Sequence, residues 1–98
     1  MNYWIIKSIV WSAVAKQNLK EIKRFFDTRN QNPEYSKKLL QVFKNAARVI
    51  ERQPKIGKNT DIAGIKGFIV LNYIIFYEVL LSHIFVLWFG IVEETLNK

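Results

Sequence analysis

The 98-residue sequence contains no cysteine, which excludes a disulfide framework and any thiolate metal site and fits a reducing compartment. It has one histidine, His83. A metal centre would have to lean on scattered carboxylates, so neither metal nor cofactor is expected. Proline and glycine are scarce, at two and four residues, and they punctuate turns rather than form a linker. With no repeat or low-complexity tract, residues 1–98 read as a single domain. Acidic residues are also few, eight against fifteen Lys and Arg, for a formal charge of +7. An unbroken apolar run long enough for a bilayer is missing too. The nearest approach, Phe68 to Val92, is cut by Asn72, Glu78, Ser82 and His83. Its Ile, Val, Phe and Tyr suit strands better than a spanning helix. Met1 to Ile6 carries no basic segment of the kind that opens a secretory signal. The expectation is a cytoplasmic protein without a membrane span.

Half the residues are apolar and 14% are aromatic, which is ample core material for a small domain and argues against disorder. The charge is uneven. Met1 to Asp61 holds 13 basic and 5 acidic residues, whereas Ile62 to Lys98 holds 2 and 3. One half is cationic and amphipathic, and the other is nearly neutral and apolar. A cationic surface attracts nucleic acid, anionic membrane or an acidic protein, and charge alone does not choose among them.

Tyr3 to Trp11 reads as a strand, being β-branched and aromatic without Gly or Pro. Ser12 is placed to cap a helix over Ala13–Thr28, whose Ala15, Leu19, Ile22 and Phe26 form one apolar stripe. Asn30, Gln31 and Asn32 make a turn. Asn32 then caps a second helix with Pro33 at its first position, running to about Gln53. Tyr35, Leu39, Val42, Phe43, Ala46 and Ile50 face inward, Lys37, Lys44 and Arg48 lie on the opposite stripe, and Pro54 and Gly57 stop the helix. Ile65–Leu71, Tyr73–Leu80 and Ile84–Phe89 read as three strands whose short connections make them antiparallel. The fold class is α+β: an N-terminal strand, a two-helix hairpin, then an antiparallel sheet of about three further strands that the first strand joins. The tail over 91–98 has no clear assignment.

Several local strings, taken in order, resemble the RelE/ParE toxin superfamily. Trp11-Ser12 followed by Ala15, Leu19 and Ile22 is similar to the family's opening, and Pro54-x-x-Gly57 to its helix-terminating turn. Asn72-Tyr73-Ile74-Ile75-Phe76-Tyr77-Glu78-Val79 is similar to its aromatic central strand, and Ile84-x-Val86-Leu87 to its last core strand. The resemblance implies a plasmid-stabilisation-type toxin of a type II toxin–antitoxin system. Such a toxin is neutralised by a cognate acidic antitoxin that wraps a peptide around an exposed groove, and it acts on DNA gyrase or, with the ribosome, on mRNA. Ribonuclease members place arginines before, within and after the central strand, because a phosphoryl-transfer site needs cations at the phosphate and a general acid and base. At those places this chain has Ile69-Val70-Leu71, Ile74 and Ile91-Val92-Glu93. No Tyr follows Tyr77 and no His follows His83. Lys55, Lys58 and Lys66 remain as weak catalytic candidates, and enzymatic activity is left open. The resemblance therefore implies a growth inhibitor of the gyrase-poisoning kind. The alternatives are an mRNA endonuclease, a degenerate inactive toxin, or a basic nucleic-acid-binding module.

For partner binding the candidates are Lys37, Lys44, Arg48, Tyr73, Tyr77, Trp88 and Phe89. Each also has a plainer reading: a solvated cationic stripe for the first three, and core packing for the aromatics. His83 is expected in an exposed turn, and Glu78 to be solvated or paired.

Overall fold

The computed structural model describes residues 8–92. Strand β1 (Ser8–Trp11) leads through Ser12 into helix α1 (Ala13–Asn30), which a tight turn joins to α2 (Glu34–Arg52). Four strands follow: β2 (Lys58–Asn59), β3 (Ile65–Val70), β4 (Tyr73–Val79) and β5 (His83–Ile91). Together the five strands form one sheet in the order β1-β5-β4-β3-β2. The expected antiparallel trio is present as β3, β4 and β5. Two features go beyond the sequence reading. β1 joins the sheet in parallel, against β5, and the short β2 adds an edge to β3. The expected start of the first strand, Tyr3 to Lys7, lies outside the described residues.

Ser12 caps α1 as expected, and its side chain also bonds across to the sheet. Its Oγ accepts from the Ala15 N–H at 2.9 Å and donates to the Leu87 carbonyl at 2.6 Å. α1 runs two residues past the expected Thr28 and ends on Gln31 in the left-handed conformation, φ 58°. The expected Asn32 cap is shifted by one: Pro33 holds the cap position rather than the first helical one, and Asn32, just before it, accepts the Glu34 N–H on its Oδ1 at 3.0 Å. Tyr35, expected inward, is 43% exposed and packs edge-on against Phe26. Ser36 takes the buried position instead. Its hydroxyl donates to Asp27, which also pairs with Lys23, and this ties the end of α1 to the start of α2.

Both helices lie on one face of the sheet. Ala15, Leu39, Phe43, Ala46 and Ile50 from the helices meet Ile75, Tyr77, Ile84, Val86 and Phe89 from the strands. Phe43 sits at the centre, 5.4 Å from the Tyr73 ring and 4.9 Å from Phe89. A one-residue bulge in β5 makes this packing possible. Phe76 faces Trp88 and Tyr77 faces Val86, so Leu87 has no partner on β4. Bulges interrupt the ladder and leave backbone groups to be satisfied elsewhere. Here the Ser12 hydroxyl takes the Leu87 carbonyl, and Asn18 Oδ1 accepts the Phe89 N–H at 2.9 Å. The slip keeps Val86 and Phe89 both on the buried side, where α1 can reach them.

Candidate partner-binding site

The cationic stripes and the edge strand converge on one side of the hairpin. Trp11, at the end of β1, stacks on Phe89 with ring centroids 5.9 Å apart. Its outer surface floors a hollow of about 340 Å³ lined by Leu19, Leu40 and Phe43, with Lys16 and Lys44 at the rim. A second hollow of about 190 Å³ shares Trp11 and Lys44 and continues past Ile9, Ala47, Arg48 and Glu51. The two form one groove beside β1, apolar at the bottom and rimmed by Lys16, Lys44 and Arg48. Lys44 and Arg48 are one helical turn apart, so both reach the same rim. Such a groove suits a peptide that alternates apolar anchors with carboxylates.

At the other end of α1, Ile22, Phe25, Tyr73, Phe89 and Ile91 line an apolar hollow of about 310 Å³ with Asn18 and Glu21. Phe25 is 57% exposed there. Burial pushes the Tyr73 hydroxyl's pKa up, and the nearby Tyr35 adds to the shift.

The sequence profile described as "ParE toxin of type II toxin-antitoxin system, parDE" matches residues 9–90. The chain belongs to the ParE toxin family. Comparison with curated protein sequences returns no match. Among solved structures, a chain of "Chromosomal ParDE TA system from P. aeruginosa" superposes with a TM-score of 0.82. That match covers 92% of this chain and 100% of the other at 17% identity, which shows that the fold is shared. Among the described residues, the helical hairpin and the sheet account for most of the chain. Among the described residues no helix is long and apolar enough to cross a membrane.

Against this ParE fold, the sequence-derived candidates divide clearly. Lys44 and Arg48 share the groove. Lys37 lies two turns nearer the start of α2, outside it. Tyr77 is a correction: its side chain is fully buried and offers no partner a surface. Its hydroxyl donates to the Pro54 carbonyl at 2.7 Å and accepts the Gly57 N–H at 2.9 Å, which pins the loop after α2 to the sheet. Burial holds its pKa above the usual tyrosine value, partly offset by the Gly57 N–H. Phe89 is a second correction, at 8% exposure in the core, with only an edge lining the Phe25 hollow. Trp88 is on the opposite face, stacked on Phe76 at 4.7 Å.

The three lysines proposed for chemistry do not form one cluster. Lys55 and Lys66 line a hollow with Gln53, Pro54, Ile56 and Val79, and Lys66 Nζ donates to Asn59 Oδ1 at 2.9 Å. Lys58 pairs with Gly67, which places it on the face away from the helices. His83, expected in an exposed turn, is instead the half-buried first residue of β5, with its Nδ1 3.1 Å from Ser82 Oγ in the turn before it. No carboxylate or imidazole lines the Lys55–Lys66 hollow, so an acid–base pair is not assembled there.

Sequence reasoning missed Trp11 and Lys16. Trp11 was read there as a strand end and as part of the Trp11-Ser12 string, and Lys16 was given no role. What would have flagged them is their adjacency to the Ser12 cap, where a strand end and a helix start share one rim.

Proposed function

We infer that this ParE-family chain acts as a toxin neutralised by an acidic antitoxin seated in the Trp11 groove, and that it arrests growth in the cytoplasm by poisoning DNA gyrase. The groove carries the reading for the antitoxin. Apolar side chains bury against Trp11, Leu19 and Leu40, while carboxylates meet Lys16, Lys44 and Arg48. Opposite charge mainly accelerates encounter and fixes register, while the apolar anchors hold the complex. For the target, the division of Lys55 and Lys66 from Lys58 favours a binding mode of inhibition. A ribonuclease needs several cations and a proton-transfer pair around one phosphate, whereas a gyrase poison needs a surface.

The test has two parts. Lys44→Glu with Arg48→Glu should weaken binding of the acidic protein encoded beside this chain by roughly tenfold or more, mostly in association rate, with the difference shrinking at high salt. Unchanged binding would exclude the groove. Induction of the chain alone in a bacterial host, with pulse-labelled DNA and protein synthesis followed together, separates the targets. DNA synthesis should fail first. If protein synthesis fails first, the Lys55–Lys66 hollow becomes the site to mutate; if growth continues with the chain folded, the active-toxin reading is wrong.

A further inference from the structure

The two helices cover one face of the sheet, and no described helix covers the other. Strand register assigns Val10 of β1, Phe85 and Trp88 of β5, Ile74 and Phe76 of β4, and Ile65 and Ile69 of β3 to that second face. Val10 is 41% exposed and Ile69 57%. The face is flat at its centre for a specific reason. A Cβ on Gly90 would lie 2.8 Å from Phe76 Cε2, and one on Gly67 would lie 3.6 Å from Phe76 Cε1. The Phe76 ring therefore lies over glycines on both neighbouring strands and stacks on Trp88. Monomeric proteins seldom leave a continuous apolar face of this kind open.

Charge decides what fits it. Of the fifteen basic residues, ten lie on α1 and α2, on the far side of the molecule. By register the apolar face carries only Lys58, Glu78 and His83 among the described charged or titratable residues. Nucleic acid would find almost no cations for its phosphates, and an acidic peptide would gain nothing beyond contact. A neutral, flat, apolar partner surface is required, and the chain itself supplies one.

We propose that two copies of this chain pack through this face, sheet against sheet, about a two-fold axis. The contact is isologous, the same patch on both subunits. Layers of secondary structure stack about 10 Å apart, so the helix layers of the two copies lie on the order of 30 Å from one another. That is several times the Debye length of about 8 Å at physiological salt, so the charge of +7 on each copy does not oppose the contact. Four strands at about 4.8 Å spacing and five to six residues of length give a footprint of roughly 20 by 20 Å. Two such faces bury on the order of 1,000 Å² in all, the lower end for a specific interface. A contact of this size makes the dimer a reversible one. This inference is independent of the toxin reading.

Sedimentation equilibrium of the purified full chain over roughly 1–300 μM tests it. A monomer–dimer equilibrium is expected, unchanged or tightened as salt rises. Ile69→Lys and Val10→Lys, both at exposed positions on opposite sides of the face, should each weaken it at least tenfold. Val14→Lys, an equivalent change at a 57% exposed valine on α1, should leave it within twofold. Far-UV spectra of all three variants confirm folding. A wild-type chain that stays monomeric throughout overturns the proposal. So does a dimer that Val14→Lys disrupts as strongly as Ile69→Lys, and so does a dimer that salt dissolves.

Discussion

Removing a single oxygen, in Tyr77→Phe, should cost about 2–4 kcal/mol. The hydroxyl donates to Pro54 and accepts from Gly57, at 2.7 and 2.9 Å, inside a site where Tyr77 is fully buried. A net hydrogen bond contributes about 1 kcal/mol, but stranding a buried donor or acceptor costs about 1–3 kcal/mol. Phenylalanine strands one donor and one acceptor together. For a domain of this size the loss corresponds to a melting temperature lower by roughly 10–20 °C. Urea unfolding followed by tryptophan fluorescence and far-UV circular dichroism measures it directly. A loss below about 0.5 kcal/mol would mean that water replaces the hydroxyl and that the loop after α2 is not pinned. Gly57→Ala supplies the internal control. A Cβ there would sit 2.6 Å from the Tyr77 hydroxyl, so the oxygen must move. In the Tyr77→Phe background that clash is gone and part of the cost disappears, and the double mutant should be more stable than the sum of the singles. Additivity would refute the geometry. The hydroxyl also sets an alkaline limb. Its pKa is raised in the folded state, so its contribution is complete below the unfolded value of about 10 and is lost as pH climbs through the folded value. Tyr77→Phe should flatten that limb.

Other outcomes follow from single contacts. Lys23 and Ser36 hold the Asp27 carboxylate below its ordinary pKa. The resulting stability is present above about pH 4 and is lost as pH falls through the folded value, so Asp27→Asn should flatten the acid limb of a melting curve. Ser12→Ala removes both the α1 cap and the donor to Leu87, and should cost about 1–3 kcal/mol by urea unfolding. Leu71 is held at φ 57° with its side chain 61% exposed. Leu71→Gly should therefore stabilise the chain by about 1 kcal/mol, and a loss of stability would show that Leu71 makes contacts worth more than the backbone cost.

Most of the element order could be read from local patterns, since caps, stripes and turn residues act within a few positions. Ser12, Asn32 and Pro54 mark boundaries within a residue or two of those in the structure. The sheet's long-range arrangement was less legible. The parallel pairing of β1 with β5 joins residues about 75 apart, and nothing in Ser8–Trp11 states its direction. The bulge at Leu87 was equally hidden, because the groups that stabilise it, Ser12 and Asn18, belong to another element. Site residues fared similarly. Lys44 and Arg48 were legible as neighbours on a helical stripe, but their groove needs Trp11, which the chain brings in from the sheet edge.

The misplacement of Tyr77 and Phe89 has a physical cause that bears on the whole molecule. A strand covered on one side normally alternates apolar and polar residues, and the alternation reveals which side is buried. β4 does not alternate in that way: Tyr73, Ile75 and Tyr77 point to the helices, and Ile74 and Phe76 point away. Strand periodicity therefore showed which residues share a face but not which face is buried. Folding the hairpin onto the sheet requires only one apolar side. The second apolar side, kept flat by Gly67 and Gly90 beneath Phe76, adds little to the core already formed and carries a solubility cost when left bare. The pattern that obscured the core in the sequence is thus the pattern expected of a sheet that has a second layer to meet, and the sedimentation of Ile69→Lys beside Val14→Lys tests that requirement.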